Sequence, residues 1–130
     1  SLDTKKPEFV RALFEGIGFM LRESIELARS IGIEVHRIRS LGGGSKSRIW
    51  QRIKTSITDT PIDTMEESEC TSLGVAILAA CALKWYPSIE DACTRNTVKH
   101  TESPDPELRG VYDQQYRKYL QVYASTRDLY

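Results

Sequence analysis

The sequence lacks an excess of either charge, a long apolar run and a signal-like amino terminus. Its 130 residues carry 18 basic and 18 acidic side chains, so the formal net charge is zero. A balanced charge argues against a protein dedicated to nucleic acid or to anionic membranes. No apolar run is long enough to span a bilayer, and no charged-then-apolar leader opens the sequence. We therefore expect neither nucleic acid nor membrane as a partner, and a cytoplasmic location.

Cysteine and histidine are also scarce. The three cysteines, Cys70, Cys81 and Cys93, are too widely spaced for a zinc site and too few for a disulfide framework. We expect reduced, mostly buried thiols and no metal site. His36 is predicted to be a solvated or hydrogen-bonded strand residue, and His100 to lie in a loop without a visible partner.

What the sequence does contain is the pattern of one helix-rich α/β domain, which is also the natural reading of its length. Apolar spacing predicts helices over residues 7–31, 45–57, 68–83, 89–94 and 105–123. Short strands are predicted over residues 35–38 and 62–65, and residues 96–104 are predicted to be a loop.

Several of these segments carry further expectations. The helix after Ser68 is apolar nearly all round, which predicts burial on most of its sides. Glycines inside helices predict close approach of a neighbour, and the tyrosines of the last helix predict a packing surface. Trp50 is expected to anchor its helix against the first helix, and Trp85 and Tyr86 to pack on the domain surface. The glycines expected to allow close approach are Gly16, Gly18 and Gly74, and the tyrosines of the last helix are Tyr112, Tyr116, Tyr119 and Tyr123.

The most informative feature is the glycine run between the first strand and the second helix. Gly42, Gly43 and Gly44 can adopt positive φ and leave no Cβ to block a ligand. The helix that follows would present free N–H groups and the positive end of its dipole at the same place. Such a site suits a phosphate or the sugar edge of a nucleotide, although a tight strand-to-helix connection explains the run equally simply. The run fits neither the Walker pattern nor the dinucleotide fingerprint.

The order of motifs resembles the C-terminal part of the FGGY carbohydrate kinases, and most closely their xylulose kinase members. Residues 41–50, LGGGSKSRIW, are similar to the family's glycine-rich adenosine-binding element. Residues 67–80, ESECTSLGVAILAA, resemble its Glu-rich lead into a Leu-Gly-Ala-Ala helix. The resemblance extends to residues 14–24, 60–62, 86–92 and 104–123, and so covers nearly the whole chain.

This resemblance implies a fold, a ligand and a set of contacts. Residues 1–130 would be the C-terminal, nucleotide-side region of a kinase with actin-like (ribonuclease H-like) domains, using ATP and Mg²⁺. Gly42, Gly43, Gly44 and Ser45 would approach the ribose and phosphates, and Arg48 would lie near adenine. The sugar-binding domain and the catalytic base would lie upstream, so this chain would contain no catalytic residue and no metal ligand. By itself it would be inactive.

Several alternatives stay open at this stage. By resemblance the sugar would be D-xylulose. L-Ribulose, glycerol or another polyol, the substrates of other family members, are alternatives. A stand-alone nucleotide- or phosphate-binding module without catalysis would use the same glycine run. A helical nucleic-acid binder would use the basic residues near it, against the neutral net charge. Because the missing half would cover one side, we also expect an exposed apolar surface and self-association as a homodimer.

Overall fold

The computed structural model describes residues 4–126, so the predicted bounds of 1–130 extend past it at both ends. The helices, in chain order, are α1 (Lys6–Ser30), α2 (Arg48–Thr58), α3 (Cys70–Ala82), α4 (Ile89–Cys93) and α5 (Pro106–Thr126). The strands are β1 (Ile38–Ser40), β2 (Ile62–Met65) and β3 (Val98–Glu102), and a 3₁₀ turn spans Gly43–Lys46. The predicted helix-rich α/β fold is confirmed.

The strands form one small sheet in the order β1-β2-β3. β1 and β2 pair in parallel, with Ile38 opposite Ile62, and α2 is the crossover helix between them. β3 pairs with β2 in the antiparallel direction, and His100 lies opposite Thr64. The start of β3 therefore lies at the same edge of the sheet as the carboxyl ends of β1 and β2.

The prediction of a loop over residues 96–104 is wrong, because β3 occupies residues 98–102. Its side chains are mostly polar and none is fully buried, so the strand shows no apolar alternation. Backbone pairing to β2 holds it in place, and the sequence carries no local signal of that pairing.

The core lies where α1, α2 and α5 meet. Phe19, Ile53, Ile57, Tyr112 and Tyr116 form one buried cluster, with Ile57 completely buried. Burying an aliphatic or aromatic side chain of this size stabilises a fold by about 1.5–3 kcal/mol. The first helix ends as predicted, since Gly32 follows it with φ of 86°.

Two of the glycine predictions concern α1, and only one is confirmed. A Cβ at Gly18 would lie 2.6 Å from Ile57 Cδ1, so this glycine lets α1 and α2 pack closely. A Cβ at Gly16 would meet no heavy atom within 4 Å among the described residues. Gly16 therefore has no packing role there.

The tyrosine stripe of α5 is a packing surface, as predicted, over most of its length. Tyr112, Tyr116 and Tyr119 all lie with ring centroids 5.5–6.3 Å from that of Phe19 on α1. The hydroxyl of Tyr116 donates a 3.0 Å hydrogen bond to Glu26. Burial and this hydrogen bond raise the pKa of Tyr116 to about 12. Tyr123 remains exposed at the end of the stripe.

The prediction that α3 is buried on most sides is wrong for the described residues. No residue of α3 is buried, and Val75 and Leu78 are each about three-fifths exposed. The helix packs mainly on the short α4, which cannot cover an apolar surface on all sides. Its start is also displaced, because Glu69 and not Ser68 is the N-cap residue. A Cβ at Gly74 would meet no heavy atom within 4 Å among residues 4–126.

Smaller expectations about the surface have mixed outcomes. All three cysteines are free, but Cys93 is exposed and Cys70 and Cys81 are only half-buried, so the prediction of mostly buried thiols is wrong. Trp85 is likewise exposed rather than packed. Ser88 caps α4 by accepting from the Asp91 N–H. Across the described part of the chain, no helix combines the length and apolarity needed to cross a membrane.

Candidate functional site

The glycine run forms a turn at the carboxyl end of β1. Gly42 has φ of 77° and ψ of −174°, a conformation that favours glycine. Its N–H donates a 3.0 Å hydrogen bond to the Ser68 carbonyl, which ties the turn to the segment after β2. Residues Gly43–Lys46 then form the 3₁₀ turn.

The helix after the turn begins later than residue 45, so that part of the prediction is wrong. Ser47 is extended, with φ of −88° and ψ of 101°, and its side chain accepts from the Trp50 N–H at the start of α2. An extended cap residue cannot continue the 3₁₀ turn, which is why α2 starts at Arg48. The positive end of the helix dipole consequently lies one short turn away from the glycines.

The structure constrains the three glycine positions of the turn differently. Gly42 is needed for its positive φ. A Cβ at Gly44 would lie 2.5 Å from Trp50 Cζ3, so this glycine is needed for packing. Gly43 has neither constraint, because its φ is not positive and a Cβ there would meet no heavy atom within 4 Å among the described residues. The lack of a side chain at Gly43 leaves open space that the chain itself does not fill.

Trp50 fixes the far side of the turn, as the sequence predicts. Its ring stacks on Phe14 of α1 with centroids 5.1 Å apart and an interplanar angle of 17°. The Lys54 ammonium lies 4.8 Å from the centroid of the same ring, and burial lowers the pKa of this lysine. The glycine turn is therefore built on a rigid aromatic contact between α1 and α2.

Ser45 is buried and closes the turn on itself. Its hydroxyl donates to the Gly42 carbonyl at 2.7 Å, and its N–H donates to the same oxygen at 3.1 Å. Neither Gly43 nor Gly44 donates its N–H to another backbone group of residues 4–126. The turn thus keeps donors available next to the open space at Gly43.

Gln51 is a supporting residue that the sequence did not reveal. Its side-chain Nε2 donates to Ser40 Oγ at 3.0 Å and to the Gly44 carbonyl at 3.2 Å, so it joins the end of β1 to the turn. Gln51 is buried, with only 1% of the residue exposed. A polar residue on an amphipathic helix gives no sequence signal of such a role, because the same pattern describes a solvated face.

A cleft of about 550 Å³ lies beside the turn, where the carboxyl ends of the parallel strands meet the start of β3. In open α/β sheets this edge is where ligands bind. The lining side chains come from the turn, the start of α2, the end of β2 and the start of β3: Ser45, Lys46, Arg48, Thr64, Met65, Glu66, Ser68, Lys99 and His100.

Ser45 and Arg48, both predicted from the sequence as ligand contacts, are brought together in this lining. Gly42, Gly43 and Gly44 precede Ser45 on the same turn but are not lining residues themselves. His36, by contrast, lies outside this cleft, with its side chain 80% exposed and its Nε2 2.9 Å from a Glu34 carboxylate oxygen. It precedes β1, so the prediction that it is a strand residue is wrong. The structure therefore places the predicted residues on the glycine turn and at the start of α2, beside one edge of the sheet.

Charge pairs line the β3 side of the cleft. Glu102 Oε1 lies 3.2 Å from Arg48 Nε and 2.9 Å from His100 Nε2, so the prediction that His100 has no partner is wrong. Burial alone would raise the pKa of Glu102, but the neighbouring His100 and Arg48 hold that pKa below its usual range. Lys99 pairs with Glu66 at 3.4 Å.

The described residues offer no metal centre. Among residues 4–126, no three His, Cys, Asp or Glu side chains form a group that could hold a metal ion. The acidic residues before α3 instead shape their own loop, since Glu67 accepts from the Glu69 N–H at 2.8 Å and donates its own N–H to Asn96. Sequence reasoning assigned them no catalytic role, and the contacts agree with a structural one.

Comparison with known proteins connects this geometry to a family. Residues 1–83 match the model of the FGGY family of carbohydrate kinases, C-terminal domain. A xylulose kinase of Staphylococcus epidermidis is 38% identical over 126 residues, and that of Bacillus subtilis is 34% identical over the same length. Both alignments cover 95% of this chain and 25% of the relative. A ribulokinase of Halalkalibacterium halodurans is 30% identical over 130 residues, covering 95% of this chain and 23% of that protein.

Solved structures of the same family have the same fold. A xylulose kinase from Rhodospirillum rubrum superposes with a TM-score of 0.85 at 25% identity, over 99% of this chain and 26% of that one. A Plasmodium falciparum glycerol kinase solved with ADP superposes with a TM-score of 0.75 at 28% identity, over 93% of this chain and 25% of that one. The predicted assignment to part of an actin-like ATPase domain is confirmed.

The chain spans about a quarter of the length of the relatives that it matches. The match to the family model covers the strand, glycine turn and helix that carry the site, and the curated relatives align along nearly the whole chain. The chain belongs to the FGGY family of carbohydrate kinases, and it corresponds to their C-terminal domain.

Proposed function

We propose that this chain is the nucleotide-binding side of an ATP-dependent sugar kinase. The observation that carries the proposal is the glycine turn, in which Gly43 leaves open space that the chain's own packing does not require. That space adjoins N–H donors of Gly43 and Gly44 that serve no other backbone group in residues 4–126. Backbone donors on a glycine turn suit the phosphates and ribose of a nucleotide.

Each predicted contact has a distinct proposed role. Gly42, Gly43 and Gly44 let the backbone approach the ribose and phosphates. Ser45 holds the shape of the turn, because its hydroxyl and N–H are both bonded to the Gly42 carbonyl. Arg48 lies toward adenine, since its side chain lines the cleft, is 75% exposed and pairs with Glu102. The ADP-bound glycerol kinase relative supports this assignment of the ligand.

The proposed reaction is the phosphorylation of D-xylulose to D-xylulose 5-phosphate by ATP. Curated xylulose kinases at 34–38% identity support this sugar over the alternatives. L-Ribulose and glycerol stay as alternatives, because a ribulokinase and a glycerol kinase also match. Since ATP is the phosphate donor, we propose a cytoplasmic protein.

The metal and the chemistry would come from outside the described residues. Mg²⁺ would neutralise charge on the nucleotide phosphates, and residues 4–126 contain no cluster of three His, Cys, Asp or Glu side chains that could hold a metal ion. Phosphoryl transfer depends on positioning and charge stabilisation from both sides of the nucleotide. We therefore propose that this chain binds nucleotide and is inactive alone, with the sugar bound by an upstream domain.

The exposed apolar surface supports a further part of the proposal, self-association as a homodimer. Val75, Leu78 and Leu83 on and beside α3 are each more than half exposed, as are Phe9, Leu13 and Met20 on α1. Large apolar side chains exposed on a helix surface are a feature of many interaction sites. In a longer protein the same surface would be covered by the rest of the chain.

The test is a calorimetric titration of the chain with ADP, comparing wild type with Gly43→Val. A Cβ at this position meets no described heavy atom within 4 Å, so we expect the fold to persist with valine there. ADP affinity should fall at least about tenfold, the effect of losing about 1.4 kcal/mol of binding. Gly110→Val is the matched control, because Gly110 also has open space but lies on α5. Equal ADP affinity for wild type and Gly43→Val, with both folded, would contradict the proposal.

A further inference from the structure

The wall of the cleft formed by β3 lies beyond the part of the chain that the family model matches. The matched segment ends at residue 83, whereas Lys99 and His100 line the cleft from the start of β3. Antiparallel pairing to β2 brings them there, because Thr64 lies opposite His100. The glycine turn and β3 therefore face one space from two sides.

A shared carboxylate links the two sides. The same oxygen of Glu102 lies within 3.2 Å of Arg48 on α2 and within 2.9 Å of His100 on β3. The Glu102 side chain is only 12% exposed, while Arg48 is 75% and His100 42% exposed. Glu102, which is mostly shielded from solvent, thus lies between the Arg48 guanidinium and the His100 imidazole, two more exposed side chains that line the cleft.

The charge balance distinguishes this wall from the glycine turn. Arg48 and His100 face Glu102, and Lys99 faces Glu66, so the β3 wall carries paired charges. Lys46, on the turn, has no ion-pair partner among residues 4–126. Because each carboxylate already has a cationic partner, this wall offers phosphates little net attraction. The unpaired lysine and the turn's N–H groups attract phosphates instead. The uncharged base and ribose fit the β3 wall.

Resting on the nucleotide-binding function proposed above, in which Arg48 already lies toward adenine, we propose that His100 contacts the base or ribose of the bound nucleotide, with Glu102 as the positioning residue. Planar cationic or imidazole groups stack on bases, and a carboxylate between them fixes their separation. His100 is then a binding residue of this chain that lies outside the glycine-rich element.

The sequence contains only two histidines, which makes a direct test simple. We expect addition of ADP to the full chain to shift the ring Cε1–H signal of His100 in a ¹H–¹³C NMR spectrum. His36, 80% exposed and outside the cleft, is the internal control and should not move. Equal shifts of both signals, or a shift of neither while the glycine-turn amides respond, would overturn the assignment of His100.

Variants then locate the contact on the nucleotide. His100→Ala should weaken ADP binding about tenfold, the effect of one lost contact of this kind, and leave binding of inorganic diphosphate unchanged. His36→Ala should change neither affinity. Weaker binding of both ADP and diphosphate by His100→Ala would overturn the proposal, because the contact would then be to phosphate. Unchanged ADP affinity would overturn it as well.

The positioning role of Glu102 has its own signature. Glu102→Gln keeps the size of the side chain but removes the charge that holds Arg48 and His100. We expect it to reduce the ADP-induced shift of the His100 ring signal at saturating ADP, an effect that a merely structural role would not produce. An undiminished shift would remove Glu102 from the proposal.

These results separate the two proposals. If wild type binds ADP and Gly43→Val does not, the proposed nucleotide-binding function holds. The His100 results then decide separately whether β3 contacts the nucleotide. If wild type shows no ADP binding by calorimetry and no amide shifts, both proposals fail together.

Discussion

Of the three strand-to-helix units in residues 4–126, the first two differ in what covers their helices. β1 leads through the glycine turn into α2, an amphipathic helix of which six residues are buried, Gln51 and Thr55 among them. β2 leads into α3, which is apolar nearly all round and has no buried residue. Burial in this molecule follows the availability of partners and not the apolarity of the helix.

The difference also separates the site from the surface. α2 packs on α1 and α5, so the turn before it is held by Trp50, Gln51 and Ser45. α3 has only α4 as a main partner in the described residues, and its start is held by loop hydrogen bonds of Glu67 and Asn96 and not by a packed aromatic contact. A helix that is packed against several other elements can hold the turn before it in place, as the proposed ligand site requires. An exposed apolar helix is suited to contact with another protein surface.

The largest predicted effect compares a truncation in each unit. Ile57→Ala removes a completely buried side chain from between α1 and α2 and should lower the free energy of unfolding by about 2–5 kcal/mol. Leu78→Ala on α3 removes a side chain that is 59% exposed and should change it by less than about 0.5 kcal/mol. Urea denaturation measures both. Similar losses for the two variants would show that α3 is packed.

A smaller effect is expected at the turn. Gly44→Ala places a Cβ 2.5 Å from Trp50, whose ring is held by Phe14, and should cost about 1–3 kcal/mol of stability by overpacking. Gly43→Ala is the matched control next to it and should be nearly neutral, because the space there is open. Thermal melts of both variants make the comparison. A neutral Gly44→Ala would mean that Trp50 does not fix the turn.

The next effect has the opposite sign. Gly74→Ala in α3 adds a methyl group where no described heavy atom lies within 4 Å, so it should stabilise the chain by up to about 1 kcal/mol through helix propensity. Gly18→Ala is the control in α1, where Ile57 would have to move, and should not stabilise. Urea midpoints measure the difference. A destabilised Gly74→Ala would show that another surface lies against α3.

The smallest effect on stability comes from charge on the same surface. Val75→Lys combined with Leu78→Lys should change the free energy of unfolding by less than about 0.5 kcal/mol per site, since both side chains are exposed. The double variant should nevertheless sediment as a smaller species than wild type at high concentration. Wild type that is strictly monomeric at every concentration would contradict the proposed self-association.

The elements with a local signal could be predicted from the sequence. Apolar spacing predicts α1, α4 and α5. The resemblance to the kinase family points to the glycine turn, Ser45 and Arg48, and the structure places Ser45 and Arg48 in the lining of one cleft. These features depend on neighbouring residues, which is why a single sequence reveals them.

What could not be predicted depends on contacts between distant residues. β3 is polar and is defined by pairing to β2, so His100 was expected in a loop without a partner. Gln51 looks like any polar helix residue until its bonds to Ser40 and Gly44 are seen. The burial expected for α3 depends on a covering surface that apolar composition cannot guarantee.

The most direct test of the central claim, that nucleotide binds at the glycine turn of the first unit, is an amide NMR titration of the chain with ADP. We predict shifts confined to residues 42–48 and to the start of β3, with the signals of α3 unchanged. Weak affinity would agree with a site that a second domain completes. Shifts centred on α3, or none at the glycine turn while the spectrum shows an intact fold, would contradict the account.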